Sequence, residues 1–337
     1  QSGTTTDWEV FIGPGLTMAF DETETDYLVG TKSGLVTISK SDGQVTYLNK
    51  ANSALPSNMI EGIAIDPTGL QWIGTYDAGL VLNNNGSWGT KNENNSQLPS
   101  DVIYTMKADA NGNIWIVHKE GISRISGSTW TNIPKPSTSY WYHFDMVFDA
   151  NNDLWFSTRH SVFQYKNGSF IDHTSSVLPT YNTIKSLERS TSGDIYVAVG
   201  TSGLMKYSGG SWSTVDISTL PGTGNIDVVG SNANGEFCML RDQILVVEDG
   251  QGWRSVDFSK TNMPTGTVTG WPVRTASTQG PPSSLWSWKS SSSRVASLDD
   301  AMSWRLPRWS TSISPPSATS RSSTEVFTRP SRRSTTS

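Results

Sequence analysis

Three markers recur in phase every 40 to 45 residues, and together they predict an all-β chain folded as a β-propeller of four-stranded blades. The first is an aromatic residue that closes an Asp/Asn/Gly-rich turn, at Tyr27, Trp72, Trp115, Trp155, Tyr196 and Phe237. The second is a Leu-Pro pair at Leu55, Leu98, Leu178 and Leu220, with Ile133-Pro134 and Met263-Pro264 as variants. The third is an aromatic after a Gly/Ser turn, at Trp88, Trp130, Phe170, Trp212 and Trp253. Composition agrees: a hydrophobic fraction of only 35% that includes 14 Trp suits many short strands joined through a few large side chains.

In chain order, Asp7–Phe11 (DWEVF) comes first and reads as an outer strand with no unit of its own. Six complete units follow at about 16–53, 59–94, 101–135, 142–174, 183–218 and 225–260. In the second, the strands are expected near Met59–Ile65, Leu70–Thr75, Leu80–Asn83 and Ser87–Lys91. The turns between them carry Gly, Asn, Asp and Pro, which supply positive φ, Asx hydrogen bonds or a fixed φ. The orphan strand implies a seventh blade, beginning at residue 265, that lacks its last strand and is closed by the N-terminus, so that no sheet edge stays open.

Thr265–Gly270 starts this seventh unit as an inner strand should, but from Trp271 the markers vanish. Residues 271–337 hold three acids against nine Arg or Lys, whereas residues 1–270 hold 27 acids against 16. This Ser/Thr/Arg-rich tail reads either as native low-complexity sequence or as a shifted reading frame, and the stop in mid-strand favours the second. Segments 284–290 and 293–299 would then serve as improvised strands.

The skeleton of Leu55–Leu80 (LPSNMIEGIAIDPTGLQWIGTYDAGL), repeated in Asp109–Ile122 (DANGNIWIVHKEGI), resembles the two-component regulator propeller repeat. The resemblance covers about residues 16–260; Tyr196 replaces Trp in the fifth unit, and the sixth loses its Gly-Leu. It implies a propeller of the kind found in periplasmic sensor regions and exported proteins, with repeat residues that are structural and name no ligand. A looser likeness to streptogramin lyases lacks a segment matching their catalytic motif, and fold alone carries no function.

Other classes find little support. A net charge of −5 argues against nucleic acid, and no run of 18 apolar residues spans a membrane. The one cysteine, Cys238, sits in the apolar run EFCML and reads as a buried thiol. The polar, short start QSGTTTD is what a processed N-terminus would leave, so a periplasmic or extracellular monomer is expected. DANGN and DANND place oxygens at alternate positions, as calcium loops do, but lack the glycine at position six and, with one exception (Glu120), the acid at position twelve. They read as turns, as do the Asn-Gly-Ser sites at Asn85 and Asn167. His118, His143, His160 and His173 share no metal-ligand spacing. Neither a catalytic residue, a metal nor a cofactor is assigned.

A ligand site is expected where the scaffold stops repeating. Loops between strands two and three, and those joining blades, open on one end of the axis. They carry Tyr76, Asp77, His118, Lys119, Glu120, Arg159, His160, Arg241 and Asp242, and from the interblade loops Tyr140, Trp141, Tyr142 and Tyr181. Aromatic faces beside charged groups suit a glycan or a protein or peptide partner; Trp141 and Tyr142 could equally begin an inner strand and fill the core. The expectation is a non-catalytic ligand-binding or sensing module, with a propeller lyase or hydrolase and a structural or adhesive surface protein as alternatives.

Overall fold

A computed structural model describes residues 8–12, 17–136, 141–142, 145–178, 182–200, 203–222, 224–231, 236–241, 244–248, 252–257, 270–271, 289–290 and 303–307. After strand β1 (Trp8–Ile12) come six antiparallel four-stranded sheets, each a blade with its strands in chain order from the axis outward. Blade one is β2 (Thr17–Glu22), β3 (Asp26–Thr31), β4 (Gly34–Ser39) and β5 (Val45–Leu48). Blade two is β6 (Ile60–Ile65), β7 (Gln71–Thr75), β8 (Leu80–Asn84) and β9 (Ser87–Lys91). Blade three is β10 (Ile103–Ala108), β11 (Ile114–His118), β12 (Gly121–Ser126) and β13 (Thr129–Pro134). Blade four is β14 (Asp145–Phe148), β15 (Leu154–Thr158), β16 (Ser161–Lys166) and β17 (Ser169–Asp172), followed by the single-turn helix α1 (Thr174–Val177). Blade five is β18 (Ile184–Arg189), β19 (Ile195–Val199), β20 (Gly203–Ser208) and β21 (Ser211–Val215). Blade six is β22 (Ile226–Ser231), β23 (Phe237–Arg241), β24 (Ile244–Glu248) and β25 (Trp253–Asp257).

Inner strands β2, β6, β10, β14, β18 and β22 are neighbours in that order. Beyond them β26 (Gly270–Trp271) pairs with β27 (Lys289–Ser290); β26 lies beside β22 and β27 beside β2, so this short ladder stands between blades six and one. The N-terminal strand β1 pairs antiparallel with β28 (Ser303–Pro307) in a two-stranded sheet of its own. Segment 293–299 lies outside the described residues.

The three markers have distinct physical roles. The second strand of a blade is buried on both faces, as in β11, β15, β19 and β23, and each face feeds a different core. Ile114 and Ile116 join Trp72, Leu80 and Ala64 of blade two, while Trp115 and Val117 join Met146, Leu154 and Phe156 of blade four. Leu55 and Leu98, from the Leu-Pro pairs, plug these interblade cores. Trp88, Trp130, Phe170, Trp212 and Trp253 cover them from the outer strands. Cys238 is fully buried, as expected.

The turns explain their own composition. In the loop after β10, Asp109 Oδ1 accepts the backbone N–H of Asn111 and of Asn113, both at 2.9 Å, while Oδ2 accepts Trp115 Nε1–H at 2.8 Å. Asp66 holds Trp72 Nε1 at 3.1 Å and Asp149 holds Trp155 Nε1 at 3.0 Å in the same way. Asp and Trp recur six residues apart because one anchors the other. Asn85 and Asn167 adopt φ of 48° and 51° before glycines at 91° and 79°, the tight-hairpin geometry that Asn-Gly favours.

Candidate functional site

At the axial end formed by the second-to-third and interblade loops, one tie repeats. The loop amide donates to a carbonyl just before the same blade's inner strand: Tyr76 to Met59 (3.0 Å), Lys119 to Val102 (3.1 Å), Arg159 to Tyr142 (3.3 Å) and Gly200 to Thr183 (2.9 Å). Backbone thus fixes the rim, and side chains on it are left to vary. Gly121, at φ +150°, shows how tightly the loop closes: a Cβ there would stand 2.2 Å from the Ile133 carbonyl oxygen.

Sequence reasoning placed thirteen residues here, and they divide into three groups. Tyr76 (43% exposed), Tyr142 (36%), Asp77, Lys119, Glu120 and Arg159 are exposed. Asp77, Lys119, Glu120 and Arg159 take part in none of the four ion pairs formed among the described residues. The second group turns inward. His118 is 1% exposed; His160 is buried with Nδ1 2.8 Å from the Asn182 carbonyl. Arg241 is buried too, donating to the carbonyls of Gly224 (2.9 Å) and Ile217 (3.1 Å), which straps the loop entering blade six. Trp141 is half-buried on the core between blades three and four, its Nε1–H on the His118 carbonyl at 2.8 Å. Tyr140, Tyr181 and Asp242, the third group, lie outside the described residues, as does His143.

His118 begins a polar chain. Its Nδ1 accepts the Glu120 amide at 3.2 Å, so Nε2 carries the proton and donates to Ser123 Oγ at 3.0 Å. Ser123 donates to Asn132 Oδ1 at 2.7 Å, and Asn132 Nδ2 donates to the Gln97 carbonyl at 2.9 Å. Burial, aided by the Lys135 charge, pulls its pKa down to about 4, so the ring is neutral at pH 7. This is a histidine consumed by structure. His173 sits on a different seam, stacked on Trp155 at 4.7 Å. Among the described residues, no three of His, Cys, Asp and Glu cluster as metal ligands.

Sequence periodicity missed a break within the inner strands. In β2, β6, β10, β18 and β22 the ladder slips by one residue near the same end, a β-bulge that leaves residues 18, 61, 104, 185 and 227 unpaired between flanking partners. Bulges re-aim side chains and recur beside sites. The residue before the bulge is Ile at 60, 103, 184 and 226, whereas the bulged residue is Glu61, Tyr104, Lys185 or Asp227. That contrast of constant and variable neighbours was the available signal.

Further along the inner strands the side chains tie one blade to the next. Asp21 accepts the Ile65 amide (3.0 Å), Lys107 donates to the Met146 carbonyl (3.1 Å), Asp145 accepts the Leu187 amide (3.0 Å) and Ser186 accepts the Val229 amide (2.7 Å). Glu188 lies among them, and burial, with the Asp145 charge, pushes its pKa up to about 7 against the pull of Lys107.

Comparison with known proteins agrees with this architecture. Residues 97–119, the third unit's Leu-Pro through its strand two, match the family described as two component regulator propeller. Solved structures of like fold include the extracellular domain of the putative hybrid two component system BT3049 from B. thetaiotaomicron, with TM-score 0.62 and 18% identity over 82% of this chain and 38% of that one. The extracellular domain of BT4673 from the same organism gives 0.54 and 18% over 67% and 31%. Virginiamycin B lyase from Staphylococcus aureus gives 0.57 and 11% over 74% and 88%. The chain spans about a third of the length of the extracellular domains it matches, and at these identities the likeness establishes the fold. No curated protein sequence matches it.

Proposed function

We propose that this chain is a sensing propeller that works outside the cytoplasm and binds a glycan or a peptide on the axial end described above. One observation carries the reading. The repeated polar groups are spent on the scaffold, whereas Tyr76, Asp77, Lys119, Glu120, Tyr142 and Arg159 are exposed, differ from blade to blade and share one rim. Chemistry that varies on a fixed frame is where recognition concentrates. The propeller repeat and the extracellular sensor domains of like fold support the role and the location. No helix is long and apolar enough to cross a membrane among the described residues.

A glycan and peptide array probed with the full chain tests this reading. Asp77→Ala/Arg159→Ala should retain the fold and lose the array signal. Signal that survives this change but disappears on altering the opposite end, at Thr68 or Asn111, overturns the assignment, and a chain that binds nothing supports a structural or adhesive role instead.

A further inference from the structure

The far end of the axis from the rim gathers buried charge that the scaffold leaves partly unmatched. Lys107 and Glu188 hold the same register position, opposite Trp115 and Tyr196, one residue before β10 and β18 end. They are only 9% and 8% exposed. Short bonds fix them along one stretch of backbone edge. Lys107 Nζ donates to the Met146 carbonyl (3.1 Å), and Asp145 Oδ1 accepts the amide of that same residue (3.0 Å). Asp145 Oδ2 accepts the Leu187 amide (3.0 Å), and Glu188 Oε1 accepts the Arg189 amide (3.0 Å). Those two amides are two residues, or ~7 Å, apart on β18.

Glu188 breaks a pattern. Asp21 and Asp145 each accept two amides, one from their own strand and one from the next blade. Glu188 accepts one, from its own strand, and among the described residues its Oε2 meets no donor. Lys107 uses a single N–H, and none of the four ion pairs among the described residues joins it to Asp145 or Glu188. Beside them Arg189 Nε is buried without an acceptor. Buried donors of this kind are rare in folded proteins.

The charges that act on Glu188 are Lys107, Asp145 and Arg189. With Glu188 protonated, two cations against Asp145 leave one positive charge; with Glu188 ionised the sum is zero. Burial holds its pKa at about 7 against the pull of Lys107. On β2, Asp21 is held by its two amides and Glu22 by Lys40 at 2.9 Å. Glu61, Lys185 and Asp227 are bulged residues at the rim end, ~10 Å away along their strands. Lys289 lies on β27, beside β2.

We propose that this end of the axis is a site for a small carboxylate, one oxygen accepting from Lys107 and the other from the Glu188 carboxyl O–H. A carboxylate offers acceptors on two sides, so it joins donors that stand too far apart to pair directly. Binding takes one proton from solvent onto Glu188. A neutral alcohol gains no charge attraction, and a cation meets Lys107 and Arg189. The site stands away from the rim and does not depend on the role of the rim.

Calorimetric titration of the full chain with sodium formate, at constant ionic strength and in buffers of different ionisation heat, tests the site. Formate should bind with millimolar affinity at pH 6, with proton uptake. At pH 8 it should bind about tenfold more weakly, following the protonated fraction of a group that titrates near 7. Glu188→Gln keeps an N–H donor but does not titrate, so its affinity should be the same at both pH values. Lys107→Met should lose binding at both. Absence of binding at pH 6, parent affinity that is equal at pH 6 and 8, or a Glu188→Gln variant that keeps the parent's pH dependence overturns the site. Undiminished binding by Lys107→Met with parental near-ultraviolet circular dichroism does the same; should that variant fail to fold, the Glu188→Gln profile decides alone. Chloride that binds as well as formate overturns the carboxylate assignment.

Discussion

Replacing Asp109 by Ala separates a turn anchor from an ion ligand. The carboxylate is buried and accepts from two loop amides, from Asn113 Nδ2 at 2.8 Å and from Trp115 Nε1 at 2.8 Å. In the variant the Asn111 amide reaches water, but the Asn113 amide, Asn113 Nδ2 and Trp115 Nε1 are buried and lose their acceptor. Each stranded buried donor costs about 1–3 kcal/mol, so the loss is roughly 3–9 kcal/mol. Against a typical total of about 5–15 kcal/mol this is a large fraction, and it lowers the melting temperature by roughly 10 °C. Asp66→Ala is the control. That loop is half-exposed, and only Trp72 Nε1 loses a partner away from solvent, so about 1–2 kcal/mol is expected. Thermal unfolding followed by tryptophan fluorescence and near-ultraviolet circular dichroism at pH 7 reads both. An Asp109→Ala midpoint within ~0.5 kcal/mol of the parent, or an Asp66→Ala loss larger than that of Asp109→Ala, refutes the reasoning. A carboxylate kept for a cation would show the first result in calcium-free buffer.

Other expectations follow from the buried titrating groups and the loop geometry. Glu188 has its pKa raised to about 7, so its contribution is full below about pH 4.5 and is lost as pH rises through 7. Glu188→Gln should therefore gain on the parent by a difference of order 3 kcal/mol at pH 8, read from melts between pH 4 and 8. His118, with its pKa lowered to about 4, works the other way: full above about pH 6.5 and lost as pH falls toward 4. The two opposing slopes overlap in the parent, and His118→Gln should unmask the Glu188 slope alone. Gly121→Ala should cost more than ~3 kcal/mol, since its Cβ meets a carbonyl at 2.2 Å at positive φ. Gly127→Ala, in open space at φ +58°, should cost only ~1–2 kcal/mol in a chemical denaturation series.

The fold could be read from the chain because its markers are anchored to one another. Asp66 and Trp72, or Asp109 and Trp115, repeat as bonded partners, so spacing alone reveals the blade. Strand two of the second unit was expected to begin at Leu70 and begins at Gln71; its other strands start within one residue of their expected places. The site was legible only in outline. Loop position identified the rim, but whether a rim residue faces out depends on packing that no local pattern encodes. His118 and Lys119 are consecutive, and one is interred while the other is exposed, because Ser123 and Asn132 lie beneath the first. Tyr104 was overlooked for the opposite reason: a bulge shifts the register by one, and a period-two reading assigns such a residue to the wrong face.

Because every hydrophobic cluster lies between two sheets and not within one, the unit that repeats along the chain and the unit that excludes water are offset by half a blade. A gene duplication copies the first, but stability is inherited only through the second. An isolated copy would carry two half-cores, each with a wet face, so no single blade can serve as a folding nucleus or be excised as a stable fragment. Blades can therefore be gained or lost only when the new neighbours present matching halves.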